Sequence, residues 1–524
     1  MEKQFNPLLQ DATGSKKLEP LPSKPQSVLE YEAAMQDLEE YRKRHSIAIR
    51  QAQRRRLNHK DMRKLEWEHE MKLMEKLFKA GNGANLTSQF DKAIFLYSEA
   101  LELADKHGQK GAKCDIIGNI ATTYYSQSRY DDALKYLRNV LAFYQKAGNK
   151  HGELLTLHNM GAVLDSKGDW DDALECAEKA MAIAKELKSP KDEADQLVTI
   201  GLVNSKKGRK REALEMIKQA VAMSDIPGNE SNHAAHMGSL AEVHRHLGEQ
   251  DIALELNQKS LAIAKRVGNL QGEVARMHEI GWIYRDKGDW KKSLEYLNNA
   301  LTICRKHNFV RDEASQLNAI GVVLGDEEKF EECFEYHQQA LAIHREIGAK
   351  ESLAGSFGNL GLAYRAKGDF ETALDYLHQA LDMHHKMESP SEIGAVLDEI
   401  GLVYQKMGDQ EEALKNFNEG LTHHRQIGYT QGAGIILGNM GISYRLQGKF
   451  DEAMQCHGEA LELHRKVGYL HGEGNQLEGI GLVFKEKGEL DEAREHLRQA
   501  LAIFEKMGFA KGMETTKKYL EELK

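Results

Sequence analysis

The chain has 524 residues, of which 41% are hydrophobic and 29% charged, with a formal net charge of −10. It is too apolar for a disordered chain. No apolar run approaches the roughly 18 residues a membrane span needs, and the opening MEKQFNPLLQDATGSKK lacks a signal-peptide core. Five scattered cysteines (Cys114, Cys176, Cys304, Cys333, Cys456) share no CxxC spacing, which is the usage of reduced thiols; a soluble cytoplasmic protein is expected.

Residues 1–27 hold four of the seven prolines (Pro7, Pro20, Pro22, Pro25) among Ser, Lys and Gln, and read as a disordered tail. Residues 28–67 lack Pro and Gly and read as a charged helix. Acids come first (Glu30, Glu32, Asp37, Glu39, Glu40). Residues 41–64 then carry ten Lys or Arg against the single acid Asp61. Three readings fit this arm: a solvated helix packed on the following array, an arm docking on an acidic surface such as a microtubule, nucleic acid or anionic membrane, or a short coiled coil seeded by Tyr31, Met35, Leu38 and Tyr41. The basic run has no interleaved aromatics, so base stacking on a nucleic acid is disfavoured.

From residue 68 to 509 the sequence repeats with a period of 40 and no insertion or deletion. An apolar–small pair marks each unit: Ala80-Gly81, Ile120-Ala121, Met160-Gly161, Ile200-Gly201, Leu240-Ala241 and so on to Ile480-Gly481, eleven units in all. An apolar residue lies four before the small one (Leu157, Leu197, Met237) and often a Tyr or Phe three after it (Tyr124, Tyr284, Tyr364, Phe484). A turn follows, reading KGDW at 167–170 and 287–290 and KGDF at 367–370. Then come Ala173 and Ala180 or their equivalents. Apolar and small residues at this spacing make one buried stripe per helix. Gly ends the first helix and Asp favours the start of the second. Pro190, Pro227 and Pro390 fall at unit boundaries. One such helix–turn–helix unit cannot bury its own stripe, so the units must stack. Residues 510–524 read as a final amphipathic capping helix. In residues 189–235 the junction SDIPGNESNHAAH, and at 325–330 the turn GDEEKF, depart from the pattern.

The small residue, the aromatic and the two later alanines resemble the tetratricopeptide repeat signature, with 40-residue units in place of the usual 34. The junctions GNKHGE (148–153), GNLQGE (268–273) and GYLHGE (468–473) are similar to those of long-unit arrays of the Pins/LGN, kinesin light chain and rapsyn type. The resemblance implies an all-α, right-handed superhelical solenoid of about eleven repeats. It also implies an inner wall built by the first helix of each unit, with the residue two before the small one facing inward.

On that implication the inward positions include Asn119, Asn159, Asn359 and Asn439, whose amides could bond a ligand backbone or merely bridge adjacent helices. A second ladder, four after the small residue, includes Arg245, Arg285, Arg365, Arg445 and Lys485. It would favour an acidic extended peptide, or else consist of surface ion pairs. These nine residues are the predicted peptide-binding set. His344, His384, His424 and His464 repeat on second helices too far apart to share a metal and suit inter-repeat packing. No P-loop, dinucleotide, nucleophile-elbow or zinc motif occurs, so no enzyme activity, catalytic residue, metal or cofactor is expected. The functional expectation is a protein–protein scaffold or adaptor that binds extended segments of partner proteins. The alternative is a cytoskeletal or ciliary component docking on microtubules through residues 41–64. Nucleic acid is not an expected partner.

Overall fold

The computed structural model describes residues 26–54 and 58–523; the tail expected over 1–27 lies almost wholly outside them. The described residues form 24 helices, packed in pairs. They are α1 (Gln26–Arg54), α2 (His59–Leu86), α3 (Phe90–Lys106), α4 (Lys110–Ser126), α5 (Tyr130–Ala147), α6 (Lys150–Lys167), α7 (Trp170–Glu186) and α8 (Pro190–Lys206). Then follow α9 (Lys210–Ser224), α10 (Glu230–His246), α11 (Gln250–Val267), α12 (Leu270–Asp286), α13 (Trp290–His307), α14 (Val310–Asp326), α15 (Phe330–Ile347) and α16 (Lys350–Lys367). The last eight are α17 (Phe370–Lys386), α18 (Pro390–Met407), α19 (Gln410–Gln426), α20 (Thr430–Leu446), α21 (Phe450–Val467), α22 (Leu470–Lys487), α23 (Leu490–Met507) and α24 (Ala510–Glu522).

The local chemistry explains the divisions. Pro190 and Pro390 occupy the first turns of α8 and α18, where a missing N–H costs nothing. The carboxylates of Asp289, Asp369 and Asp409 accept from the backbone N–H of Lys292, Thr372 and Glu412 and so cap α13, α17 and α19. Gly168 ends α6 in the left-handed region, φ 91°. The irregular GDEEKF turn puts Glu328 there instead, φ 60°.

Each even-numbered helix from α2 to α22 pairs with the helix after it, giving eleven units with α1 before them and α24 after. Within a unit the small residue admits the partner helix. A Cβ on Gly361 would lie 2.6 Å from Leu377 Cγ, so only glycine lets α16 and α17 approach this closely. First helices of successive units also meet each other, α8 with α10 and α10 with α12 for example, which puts them on the inside of the curve.

The charged segment expected to be one helix over 28–67 is divided between α1 and α2. These run antiparallel: Tyr41 bonds the His69 ring at 3.0 Å, and Lys76 pairs with Asp37. Tyr31 and Leu38 are buried with Met74 and Leu77, so the stripe read as a coiled-coil hint is covered by α2.

The curve tightens into a superhelix whose successive turns touch. Tyr130 donates to the Glu351 carboxylate, 221 residues later. The Trp170 and Tyr429 rings meet edge to face at 5.5 Å. Phe90 is buried with Ile347 and Ala349, and the Arg311 guanidinium lies 5.7 Å over its ring. Lys210, 3% exposed, donates to Gln431 Oε1 at 3.2 Å and to the His246 carbonyl at 3.3 Å, and its ammonium lies 5.0 Å over the Tyr469 ring. Gly208 abuts Val467, and Gly248 abuts Met507. One turn of the superhelix is therefore roughly six units. In this seam the turn inside a unit meets the start of a first helix one superhelical turn later.

Candidate functional site

The predicted inward ladder is half-buried on the first helices, and it is tied from unit to unit. Arg285 meets Asp326 at 2.5 Å, Arg365 meets Glu399 at 2.9 Å, and Lys485 meets Glu522 at 2.5 Å. Arg445 pairs with Glu486, and Arg245 lies 3.7 Å from both Glu279 and Asp286. Each arginine is thus paired with a carboxylate on the first helix of the following unit, and Lys485 with one on α24. Asn439 donates to Asp398 at 2.8 Å, bridging α20 to α18. Asn119 donates within its own helix, to the Asp115 carbonyl at 2.8 Å. Asn159 is exposed and Asn359 half-buried.

Beside these cations the wall holds many carboxylates, and the burial of several is incompletely offset. Burial, followed by the neighbouring Glu399, pushes the Asp398 carboxyl up to about 7. Burial also raises Glu399 and Asp286, against the pull of Arg365 and Arg245. Glu242 is raised by burial and then by Glu279. Glu392 is raised by burial and then by Glu351; its side chain reaches an open cavity, so water touches it while the walls still enclose it.

Two cavities lie where the seam meets the inner wall. One, about 530 Å³, has Tyr130, Trp170, Ser205, Glu242, Glu392 and Tyr429 among its lining residues. The other, about 880 Å³, is lined by Arg245, Arg285, Asp286 and Trp290 from one turn and by Tyr469 and Phe509 from the next. Of the predicted set, Arg245 and Arg285 reach the second cavity and the remaining seven line neither. Periodicity missed the aromatic and acidic residues of the first. The available signal was a change of residue type at the position preceding each first helix: Gln109, Asn149, Ser189, Asn229 and Asn269 in the first units, against Phe309, Ala349, Ser389, Tyr429, Tyr469 and Phe509 later.

The repeating histidines pack at the joints between units. His344 Nδ1 is 2.9 Å from Ser356 Oγ of the next unit; His424 Nε2 is 3.0 Å from the Ser391 carbonyl of its own unit, and its ring meets Tyr429 of the next at 5.0 Å. Burial lowers His344, His384, His457 and His464 to about 4. Among the described residues no group of three or more His, Cys, Asp or Glu is arranged to hold a metal ion, and no helix is long and apolar enough to cross a membrane.

The tetratricopeptide repeat profile matches residues 113–186, 152–225, 232–306, 312–386, 392–466 and 432–506. The chain belongs to the tetratricopeptide repeat family. Tetratricopeptide arrays are generally protein–protein interaction modules and usually non-catalytic. No curated protein matches this tetratricopeptide repeat chain by sequence. Among solved structures it is similar to BtubC (BKLC) from P. vanneervenii, with 17% identity over 43% of this chain and 91% of that one and a TM-score of 0.35. It is similar to a Rap protein complexed with competence and sporulation factor, with 15% identity over 68% of this chain and 98% of that one, TM-score 0.47. A signal-transduction ATPase with numerous domains and a tetratricopeptide repeat sensor, from Pyrococcus horikoshii, has 15% identity over 59% of this chain and a TM-score of 0.40; the match spans 49% of that protein.

Proposed function

We propose that this protein is a non-enzymatic scaffold that holds extended segments of partner proteins against the inner wall of its superhelix. The observation that carries this reading is the pair of seam cavities opening onto a wall of half-buried Asn, Arg and carboxylate side chains. An extended backbone offers one donor and one acceptor per residue, and such a wall can satisfy both. The ladder arginines are already engaged by carboxylates of the next unit, so an acidic segment would have to displace those partners. Their first service in this reading is to hold unit against unit. A photo-crosslinking residue at 359, on the inner wall, is expected to capture partner segments from cell extract well above one at 295, on an exposed second-helix face. Equal capture at both positions would remove the reading.

A second reading rests on the α1–α2 hairpin. Its far end projects beyond α3 and exposes Arg50, Arg54, Lys60, Arg63 and Lys64. Of the basic residues, Arg42 is tied to Glu99 and Arg44 to Glu40. The tip is suited to an acidic polymer surface such as a microtubule, in a cytoplasmic, cytoskeleton-associated protein. Co-sedimentation with microtubules is expected for the full chain and should be lost when Arg50, Arg54, Lys60 and Arg63 are changed to Glu. Undiminished pelleting of that variant would refute it.

A further inference from the structure

The seam joins two unlike edges of the superhelix. The turns inside the first five units lie against the starts of first helices between α14 and α24. Phe90, Tyr130 and Trp170 each open a second helix at such a turn, and the seam buries them. Gly208 and Gly248 abut Val467 and Met507 there. The same turn edge continues through the last five units, where no later coil lies over it. Phe330, Phe370 and Phe450 hold the places equivalent to Phe90, Tyr130 and Trp170 and are only half-buried. Met407, Leu446 and Leu490 are 51%, 54% and 43% exposed. A Cβ on Gly368, Gly408, Gly448 or Gly488 would meet nothing within 4 Å. This open edge has the make-up of a seam that lacks its second half.

Its charge departs from that of the covered edge. Residues 326–332, 366–372, 406–412, 446–452 and 486–492 hold sixteen Asp or Glu against five Lys, whereas the equivalent stretches of the first five units hold nine against eight Lys or Arg. Acids in the first turn of a helix suit its dipole, but that preference acts on both sets alike, so the excess belongs to the open edge. It peaks at GDEEKFEE, 325–332. The opposite end of the superhelix is basic. The period would start α2 at residue 70, level with the end of α3, where Glu70 meets Lys106 and His107. It starts instead at His59, and at 1.5 Å per residue the extra turns carry the α1–α2 hairpin about 16 Å beyond the start edge of the first coil. The hairpin holds ten Lys or Arg against Asp61 over 41–64, and it exposes Ile47 and Trp67 among them.

We propose that the hairpin of one copy docks on the open turn edge of a second copy, so that chains associate head to tail. In the seam this edge receives the start of a first helix, and the hairpin brings such a start, that of α2, with cations for the acids and apolar groups for the exposed apolar side chains. Two turn edges facing each other would instead bring like charges together. Because hairpin and edge are different surfaces, the contact does not close at two copies and can propagate. The proposal stands apart from the scaffold reading, and a hairpin engaged in this way is not free for a microtubule.

The test is sedimentation velocity of the full chain at about 0.1 M and about 1 M NaCl, between which the Debye length falls from about 10 Å to about 3 Å. The mass should rise with protein concentration at the lower salt, beyond that of a dimer, and return to the monomer at the higher. Hairpin reversal (Arg50→Glu, Arg54→Glu, Lys60→Glu, Arg63→Glu) should weaken association about tenfold or more, and edge reversal (Glu328→Lys, Glu331→Lys, Glu332→Lys, Glu411→Lys) should do the same. An equimolar mixture of the two reversed chains should associate again, since each hairpin then finds an edge of opposite sign on the other chain; that rescue also shows both to be folded. Glu175→Lys, Glu215→Lys, Glu255→Lys and Glu295→Lys together, on exposed second-helix faces, should leave association unchanged. A chain that stays monomeric at the lower salt, an assembly that survives both reversals, or a mixture of the two folded variants that fails to associate would each overturn the proposal.

Discussion

Contact between successive superhelical turns can be tested with one methyl group. Gly208 and Gly448 both follow a first helix, with φ of 83° and 73°. A Cβ on Gly448 meets nothing within 4 Å, whereas a Cβ on Gly208 would overlap Val467 of the neighbouring turn, in its Cγ1 and Cβ. Alanine at either position carries the left-handed backbone cost of about 1 kcal/mol. Only Gly208→Ala also overpacks the seam, at roughly 1–3 kcal/mol more, because Val467 is 4% exposed and walled in. Gly208→Ala should therefore lose about 2–4 kcal/mol in urea unfolding against about 1 for Gly448→Ala. Adding Val467→Ala should recover part of the loss, with a favourable coupling of roughly 1–3 kcal/mol. Solution X-ray scattering should show a larger radius of gyration for Gly208→Ala alone, as the turns are pushed apart. If both alanine variants are equally destabilised and scatter alike, the turns do not touch in solution and the seam argument fails.

Other outcomes follow from buried ionisable groups. His337, His344, His384, His457 and His464 have folded pKa values of about 4 against 6.5 for the free side chain. The unfolded chain then binds more protons, so the stability these groups confer is complete above about pH 6.5 and drains away as pH falls toward 4, by up to roughly 1.4 kcal/mol per unit for each histidine. Asp398, raised to about 7, acts in the opposite sense across this range, so the informative comparison is with His457→Gln: its urea midpoint should fall less between pH 7 and 5 than that of the native chain, and parallel profiles would refute the assignment. Arg365→Ala leaves Glu399 enclosed without its partner and should cost about 1–3 kcal/mol by the same measurement. Arg305→Ala breaks the more exposed pair with Glu313 and should cost under about 1; equal losses would show the inner ladder to be no more than surface pairing.

The fold was legible because its cause is local. An apolar stripe at helical spacing, a glycine turn and a small residue at each helix crossing recur every 40 residues, and Gly361 against Leu377 is the contact the small residue foretold. The histidine series was legible in the same way, as packing between neighbours. The seam was not. Its partners lie about one superhelical turn apart, and the length of that turn is the sum of many small rotations that no single unit displays. Tyr429 and Lys210 stand out only as breaks in an otherwise regular series, and comparing equivalent positions treats such breaks as noise. The inner arginines show a different limit: their positions were readable, but whether each faces a guest or a carboxylate of the next unit depends on Asp326, Glu399 and Glu486, residues whose reach across units a periodic pattern does not encode.

The contact between Tyr130 and Glu351 also makes the array a ruler. An ordinary solenoid tolerates a lengthened loop, since each unit senses only the one beside it. Here, one residue added anywhere between these two, which stand 221 positions apart, would advance every later helix around the axis and slide the rings, caps and carboxylates of one coil past their counterparts on the next. The unvarying count from unit to unit is what a spring needs when its coils must mesh.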